Sequence, residues 1–400
     1  MTIQQRRRTL IQGASALAAG ALFAPAFVRA QSGAPIKLAT LTPLTGAGGP
    51  YGPVMANTAK AVVDAVNAAG GVRGRRVELV SEDDQTNPEA GVRAARKLID
   101  VDKVSAIMGT WASSVTTAVA PLCWESKTFL CTVSGADSIT QLPHQGFLVR
   151  TQPNTTLQGR KFGEFALELG AKRMFYMSPQ TPFTQSVFSN IKAALEKGGA
   201  TAELLIYDDK KPSLRTEVDQ ALRFRPEVIF MGGYAPDTTV LVKDIFRANY
   251  RGKLLTLAYA VNQKVAEANV EATDGVYTMA PSPAEGSGAF KRVADIVKNA
   301  NPDPYSCQVY DHVSMVLMAI AQGRDSSGAA IRENIRKVSQ GGGRPVDNAV
   351  DGIKAIVAGE KVDYTGASGP CDFTDIGDIQ DCRFRYEQAR KGKIELIRVA

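Results

Sequence analysis

"IKLATLTPLTGAGGPYG", Ile36–Gly52, decides how the rest of the chain is read. Ile36–Leu41 is an apolar run with strand character, and "VMANTAKAVVDAVNAAGG" beyond the loop carries helical spacing. A glycine-rich turn between a first strand and a first helix is where dinucleotide-binding proteins cradle pyrophosphate. That fingerprint fails by one position. After Gly46 and Gly48 the third glycine is due at residue 51, where the chain has Tyr51. The glycines therefore read as a sharp backbone turn at a strand end, with Pro53 starting the helix and Tyr51 free to form a wall against a ligand.

Strand-like and helix-like stretches alternate beyond this point. "RRVELVSED" (Arg75–Asp83) is a strand, and "NPEAGVRAARKLID" is a helix with Asn87 as N-cap and Pro88 at its first position. "VSAIMG", "TFLCTV" and "GFLVRT" are strands, with a helix between the first two that Ser113 or Ser114 caps. A second series follows: helices at 155–169, 183–197, 214–223 and 236–248 alternate with "RMFYMS", "AELLIY", "EVIFMG" and "KLLTLA". Such alternation implies α/β architecture with parallel sheets, doubly wound, and ligand-facing loops at the carboxyl ends of the strands. The repeat of the series, and a length beyond one ordinary core, predict two lobes.

The ends and totals narrow the class. Residues 1–30 have a basic start (Arg6-Arg7-Arg8), an apolar middle and a Val28-Arg29-Ala30 finish, the plan of an export signal of twin-arginine type. Its apolar run is short of the roughly 20 residues of a spanning helix. The chain carries 47 basic and 40 acidic residues; removing the leader's four arginines leaves 43 against 40, a net +3 with no nucleic-acid footprint. Two histidines, His144 and His312, and no CxxC give no zinc or redox pattern. Cys371 and Cys382 flank "DFTDIGDIQD", which reads as a hairpin centred near Ile376-Gly377, and equal offsets from that centre predict a disulfide between them. "SEDD" (Ser81–Asp84) reads as a solvated strand end rather than a metal site, and Asp311-His312 as adjacent helix positions pointing different ways.

By order and content, "IKLATLTPLTGAGGPYG", "VNAAGGVRGRRVELVSEDDQTNPEAGVRAARKLI", "IMGTWASSVTTAVAP", "VIFMGGYAPDTTVLVKDIF" and "GASGPCDFTDIGDI" resemble the substrate-binding proteins of branched-chain amino acid ABC importers, nearly end to end. The resemblance implies the type I periplasmic binding fold, two lobes joined by three crossing strands and closing on a ligand like a hinged trap. It divides the chain into an export signal at 1–30, a first lobe at 31–153 plus 282–364, and a second at 154–281 plus 365–400. It implies a periplasmic monomer, not an enzyme, with no cofactor, that meets a permease and its ATPase subunits.

Carried over motif by motif, the ligand carboxylate falls to Ser113 and Ser114 in Gly109–Ser114, and to main-chain groups at Gly135, Ala136 and Asp137. Hydroxyls and free amides at a helix start favour an anion. Tyr51, Trp111, Phe183, Tyr234, Tyr259 and Tyr305 would form aromatic walls, although core packing is the common fate of such residues. Asp137 reads first as the N-cap of "DSIT". One departure matters: amino-acid binders of this family hold the ligand ammonium with an acid after the strand that here reads "LLTLAYAVN", and this chain has Tyr259 there. Either Asp137 supplies the anion from the other lobe, or the ligand lacks an α-ammonium and is a small carboxylate such as an aromatic acid. An NAD-dependent oxidoreductase is the rival of another class, weakened by Tyr51 in the fingerprint. Presentation of a closed form to a receptor is a third reading compatible with the same residues.

Overall fold

The computed structural model describes residues 33–400; the export signal expected at 1–30 lies outside them. β1 (Ile36–Thr42), β2 (Val77–Asp83), β3 (Ala106–Gly109), β4 (Phe129–Thr132) and β5 (Leu148–Arg150) form a sheet in the order β2-β1-β3-β4-β5, every pair parallel. "AIMG" in β3 and "FLCT" in β4 are buried at every position, as strands covered on both faces must be. The helix Pro304–Gly323 runs through this lobe, buried without a break from Tyr305 to Ala321. Apolar residues on every side leave it no face for water, and the polar Asp311 and His312 among them are bonded inside the lobe. Within it Asp311 accepts from Tyr364, Ala367 and Ser368, while His312 Nε2 meets Thr151 Oγ1 at 2.8 Å, so the adjacent pair shares no partner.

The second lobe holds β6 (Arg173–Ser178), β7 (Thr201–Ile206), β8 (Val228–Met231), β9 (Lys253–Leu257) and β10 (Tyr277–Pro281), all parallel where they pair. β11 (Arg344–Val346) and β12 (Val362–Tyr364) form a small separate pair. β13 (Phe384–Arg390) and β14 (Lys393–Val399) then join the second sheet antiparallel, giving β14-β13-β10-β9-β8-β6-β7. This sheet is therefore mixed, where alternation alone predicts a parallel one. The antiparallel pair needs only a two-residue turn, which no helix signal announces.

Three short passages join the lobes: Thr151–Asn154, Pro281–Pro283 and Asp381–Arg383. The last two are tied by Ser282 N–H to Arg383 O at 2.7 Å. Ala367, Cys371, Phe373 and Ile379 pack in the first core, while Phe384 and Tyr386 pack in the second, so the last passage falls after Ile379. The disulfide expected between Cys371 and Cys382 is absent, and both thiols are free. Phe373 pairs with Ile379 and Gln380 N–H meets Asp372 O, which centres the hairpin on Ile376 and puts Asp381, not Cys382, opposite Cys371. One residue of offset turns a side chain to the other face. Cys371 lies in the first core and Cys382 against the second.

Two buried charges stand out. The Arg150 side chain has no exposed surface: its Nε donates to Asp378 Oδ1 at 2.6 Å, Nη1 to Ala136 O at 2.6 Å and Nη2 to Thr140 Oγ1 at 3.1 Å. Asn154 Nδ2 holds the other Asp378 oxygen at 3.0 Å. Asp84, expected on a solvated strand end, is fully buried. Its Oδ1 accepts from Thr86 N–H at 2.7 Å, its Oδ2 has no partner, and burial pushes the carboxyl up to about 7. The neighbouring Asp83 instead holds the glycine-rich loop, accepting from Thr45 N–H at 3.1 Å and Thr45 Oγ1 at 2.6 Å.

Asp378→Ala strands a buried guanidinium, and should cost about 3–5 kcal/mol in urea unfolding. The Asp84 carboxyl keeps its proton in the folded chain after the unfolded chain has lost its own. Its share of stability is therefore present below about pH 4 and lost as pH rises towards 7. Asp84→Asn should match the parent chain near pH 4 and exceed it by up to about 4 kcal/mol at pH 8, measured by the same unfolding.

Candidate functional site

The site forms where the strand ends of the two lobes face each other. β3 ends at Gly109, and Thr110 follows with a left-handed φ of 48°. A buried hydroxyl network fixes this turn. Thr110 Oγ1 donates to Thr132 Oγ1 at 2.9 Å, and Ser134 Oγ bonds Thr110 O and Trp111 O at 2.8 and 2.9 Å. The helix Ser113–Glu125 starts here with Ala112 as its N-cap, and no side chain caps it. Ser113 and Ser114 are thus helical residues, not the caps the sequence suggested. Ser113 Oγ accepts from Ala136 N–H at 3.2 Å, which joins this helix start to the loop after β4. First-turn amides without a side-chain acceptor, beside a hydroxyl, suit an anion.

Across from this corner the aromatic residues meet. Trp111 of the first lobe stacks on Tyr51 at 5.8 Å and meets Tyr305 edge-on at 5.7 Å. It also reaches Tyr234 and Tyr259, both on second-lobe loops, at 5.3 and 5.2 Å. Tyr51 and Tyr305 touch at 5.3 Å, and Tyr234 and Tyr259 at 5.8 Å. Burial pushes all four phenols upward, so they stay neutral hydroxyls through physiological pH. Rings from both lobes form one cluster around an indole.

Trp111, Ser113, Gly135, Phe183, Tyr234, Tyr259 and Tyr305 surround a cavity of about 30 Å³, room for one or two waters. Gly135 is required by closeness: a Cβ there would lie 2.7 Å from Gln158 Nε2 and 2.9 Å from the Phe183 ring, both in the second lobe. A larger space of about 490 Å³ lies on the other side of Tyr259 and Tyr305, with Tyr51, Asn262 and Glu387 in its wall. Of the other expected site residues, Ser114 and Ala136 line neither space. Nor does Asp137, whose carboxylate neither caps the short helix Ser138–Gln141 nor faces either space; it bonds second-lobe groups.

Sequence reasoning missed Gln152 and Gln158, which line both spaces. Gln152 Oε1 accepts from Gln308 Nε2 at 2.8 Å, and Gln158 Nε2 donates to Pro153 O at 2.6 Å. Gln152 lies on the Thr151–Asn154 passage and Gln158 in the first turn of the helix that follows it, Thr155–Glu168, a position next to a lobe junction that could have flagged both. Asn262, whose Nδ2 lies 3.5 Å from Tyr51 Oη, was missed as well. Among the described residues no group of three His, Cys, Asp or Glu is placed to hold a metal, and no helix is long and apolar enough to cross a membrane.

Comparison with known proteins fits this architecture. The periplasmic binding protein family matches residues 35–362. A leucine-, isoleucine-, valine-, threonine- and alanine-binding protein of Pseudomonas aeruginosa is 25% identical over 305 residues, covering 75% of this chain and 80% of its own. Among solved structures, a leucine-binding protein from Thermotoga maritima superposes with a TM-score of 0.78 at 22% identity, over 91% of this chain and 98% of its own. A solute-binding protein of an ABC transporter from R. palustris, in complex with benzoate, gives 0.73 at 16%, over 92% and 96%. At these identities the structural matches establish the fold. Two sheets with separate cores, a candidate site between them and a family match over most of the chain lead to one assignment: the chain belongs to the periplasmic binding protein family.

Proposed function

We propose that this chain is the extracytoplasmic solute-binding component of an ABC importer and that it captures a small carboxylate, aromatic acids included, between its lobes. It binds without chemistry, and the leader at 1–30 directs it to the periplasm by the twin-arginine route. The observation that carries the ligand class is the pairing of an anion-ready helix start at Ser113 with aromatic rings contributed by both lobes. The carboxylate would sit at the Ser113 helix start beside Gly135, and its apolar body among Trp111, Phe183, Tyr234 and Tyr259.

Tyr259 stands where the resembling amino-acid binders carry an acid, and its neutral phenol offers no counter-charge. A buried ammonium without a partner loses about 3–5 kcal/mol relative to a paired one. The benzoate complex of the R. palustris protein supports the aromatic reading, since that fold admits such a ligand. Closure follows if the ligand makes contacts to both lobes that exist only in the shut form.

Calorimetry on the exported chain should find benzoate or a hydroxybenzoate bound at least about a hundredfold more tightly than leucine, the factor that 3 kcal/mol represents. Tight leucine binding would sink the carboxylate-only reading. Binding should also change tryptophan fluorescence, and Trp111→Phe should remove most of that change, leaving Trp124 as the remaining indole. An undiminished signal in the variant would take Trp111 out of the site.

A further inference from the structure

Asp137 sits one residue beyond the Gly135–Ala136 loop, on the first lobe. Its Oδ1 accepts from Thr156 N–H at 3.0 Å. Its Oδ2 accepts from Thr156 Oγ1 at 3.0 Å, Ser186 Oγ at 3.0 Å and Asn190 Nδ2 at 3.1 Å. The backbone follows the side chain: Asp137 N–H points to Thr155 Oγ1 at 3.2 Å, and Thr155 N–H donates to Gly135 O at 2.9 Å. Every one of these partners lies on two second-lobe helices, Thr155–Glu168 and Pro182–Lys197.

Four donors, three of them crowded on Oδ2, hold this carboxylate to the second lobe. The carboxylate also lines neither space of the candidate site, so it is turned away from where a ligand ammonium would lie. The donors also include a first-turn amide of Thr155–Glu168, where the helix end favours a negative charge. On its other side the same loop is fixed within the first lobe, through Ala136 N–H to Ser113 Oγ and Ala136 O to Arg150 Nη1. The loop that would hold the ligand carboxylate is therefore also the piece of the first lobe that the second lobe grips.

We propose that Asp137 is a positioning residue that latches the ligand loop of the first lobe onto the second lobe in the closed form, and that it sets affinity through closure rather than by touching the ligand. The proposal rests on the carboxylate-binding reading above. A contact present in only one of two states shifts their balance by its full difference, and apparent affinity falls with the population of the competent state. Losing the latch thus weakens every ligand alike, whether or not it carries an ammonium.

The test uses the full chain with Asp137→Ala, Asn190→Ala and the double variant. Benzoate and leucine affinities come from calorimetry, and the radius of gyration with and without benzoate comes from small-angle X-ray scattering. The latch predicts that Asp137→Ala weakens benzoate about tenfold and leucine by a similar factor, and enlarges the ligand-free radius. Asn190→Ala should do less, and the double variant should add little to Asp137→Ala, because the two residues share one interaction. An unchanged radius together with unchanged affinity overturns the proposal. So does a loss confined to leucine, which would make Asp137 the ammonium partner. If benzoate and other small carboxylates fail to bind the parent chain, the functional reading falls, and the ligand-free radii alone decide the latch.

Discussion

A guanidinium with no access to water governs the centre of this molecule. Arg150 ends the last strand of the first sheet, and its hydrogen bonds reach the Ala136 carbonyl, the Thr140 hydroxyl and the Asp378 carboxylate. Those three partners come from the loop after β4, the short helix Ser138–Gln141 and the hairpin that spans Cys371 to Asp381. Asp378 passes the connection to Asn154, where the chain leaves for the second lobe. A planar, weakly hydrated fork holds three directions at fixed angles, where a lysine's ammonium would be a compact, more strongly hydrated charge with costlier burial. Position of the loop, position of the passage and position of the tail are thereby one variable.

The aromatic cluster gives closure its shape. Each ring pair contributes about 0.5–1.5 kcal/mol beyond burial, and Trp111 makes four such contacts, two of them across the lobes. Under the proposed function a ligand ring would replace these contacts with others of equal quality and place its carboxylate at the Ser113 helix start. A flat aromatic body can do so. In that reading a branched aliphatic chain would lack the edge-to-face geometry, adding to the penalty proposed at Tyr259. Gly135 limits what the second lobe can approach, because its missing side chain is the clearance for Gln158 and Phe183.

Much of the architecture was legible because strand–helix alternation and apolar runs are local signals. Asn87 before Pro88 capped the expected helix, its Oδ1 accepting from Ala90 N–H, though the pattern ran on into a π-helical turn at Lys97–Val101. The ring cluster was legible too, since each aromatic stands at a strand end or helix start. What escaped was non-local. Nothing in "GFLVRT" and "DIGD" says that Arg150 and Asp378 meet across 228 positions. Asp84 and Asp83 are neighbours with opposite fates, one buried and one holding a loop. The cysteine pairing failed by a single residue of register, a distance below the resolution of symmetry arguments.

The three passages between lobes have a consequence for how the chain comes together. Neither core is a contiguous segment: the first waits for Ile379, and the second sheet for β13 and β14. During vectorial synthesis no lobe can close its interior while the tail is still inside the ribosome. Each core thus pairs segments far apart in sequence, the kind of non-local contact that slows folding. A chain so threaded cannot be cut into two autonomous halves at any one bond, however independent the lobes look once they are made.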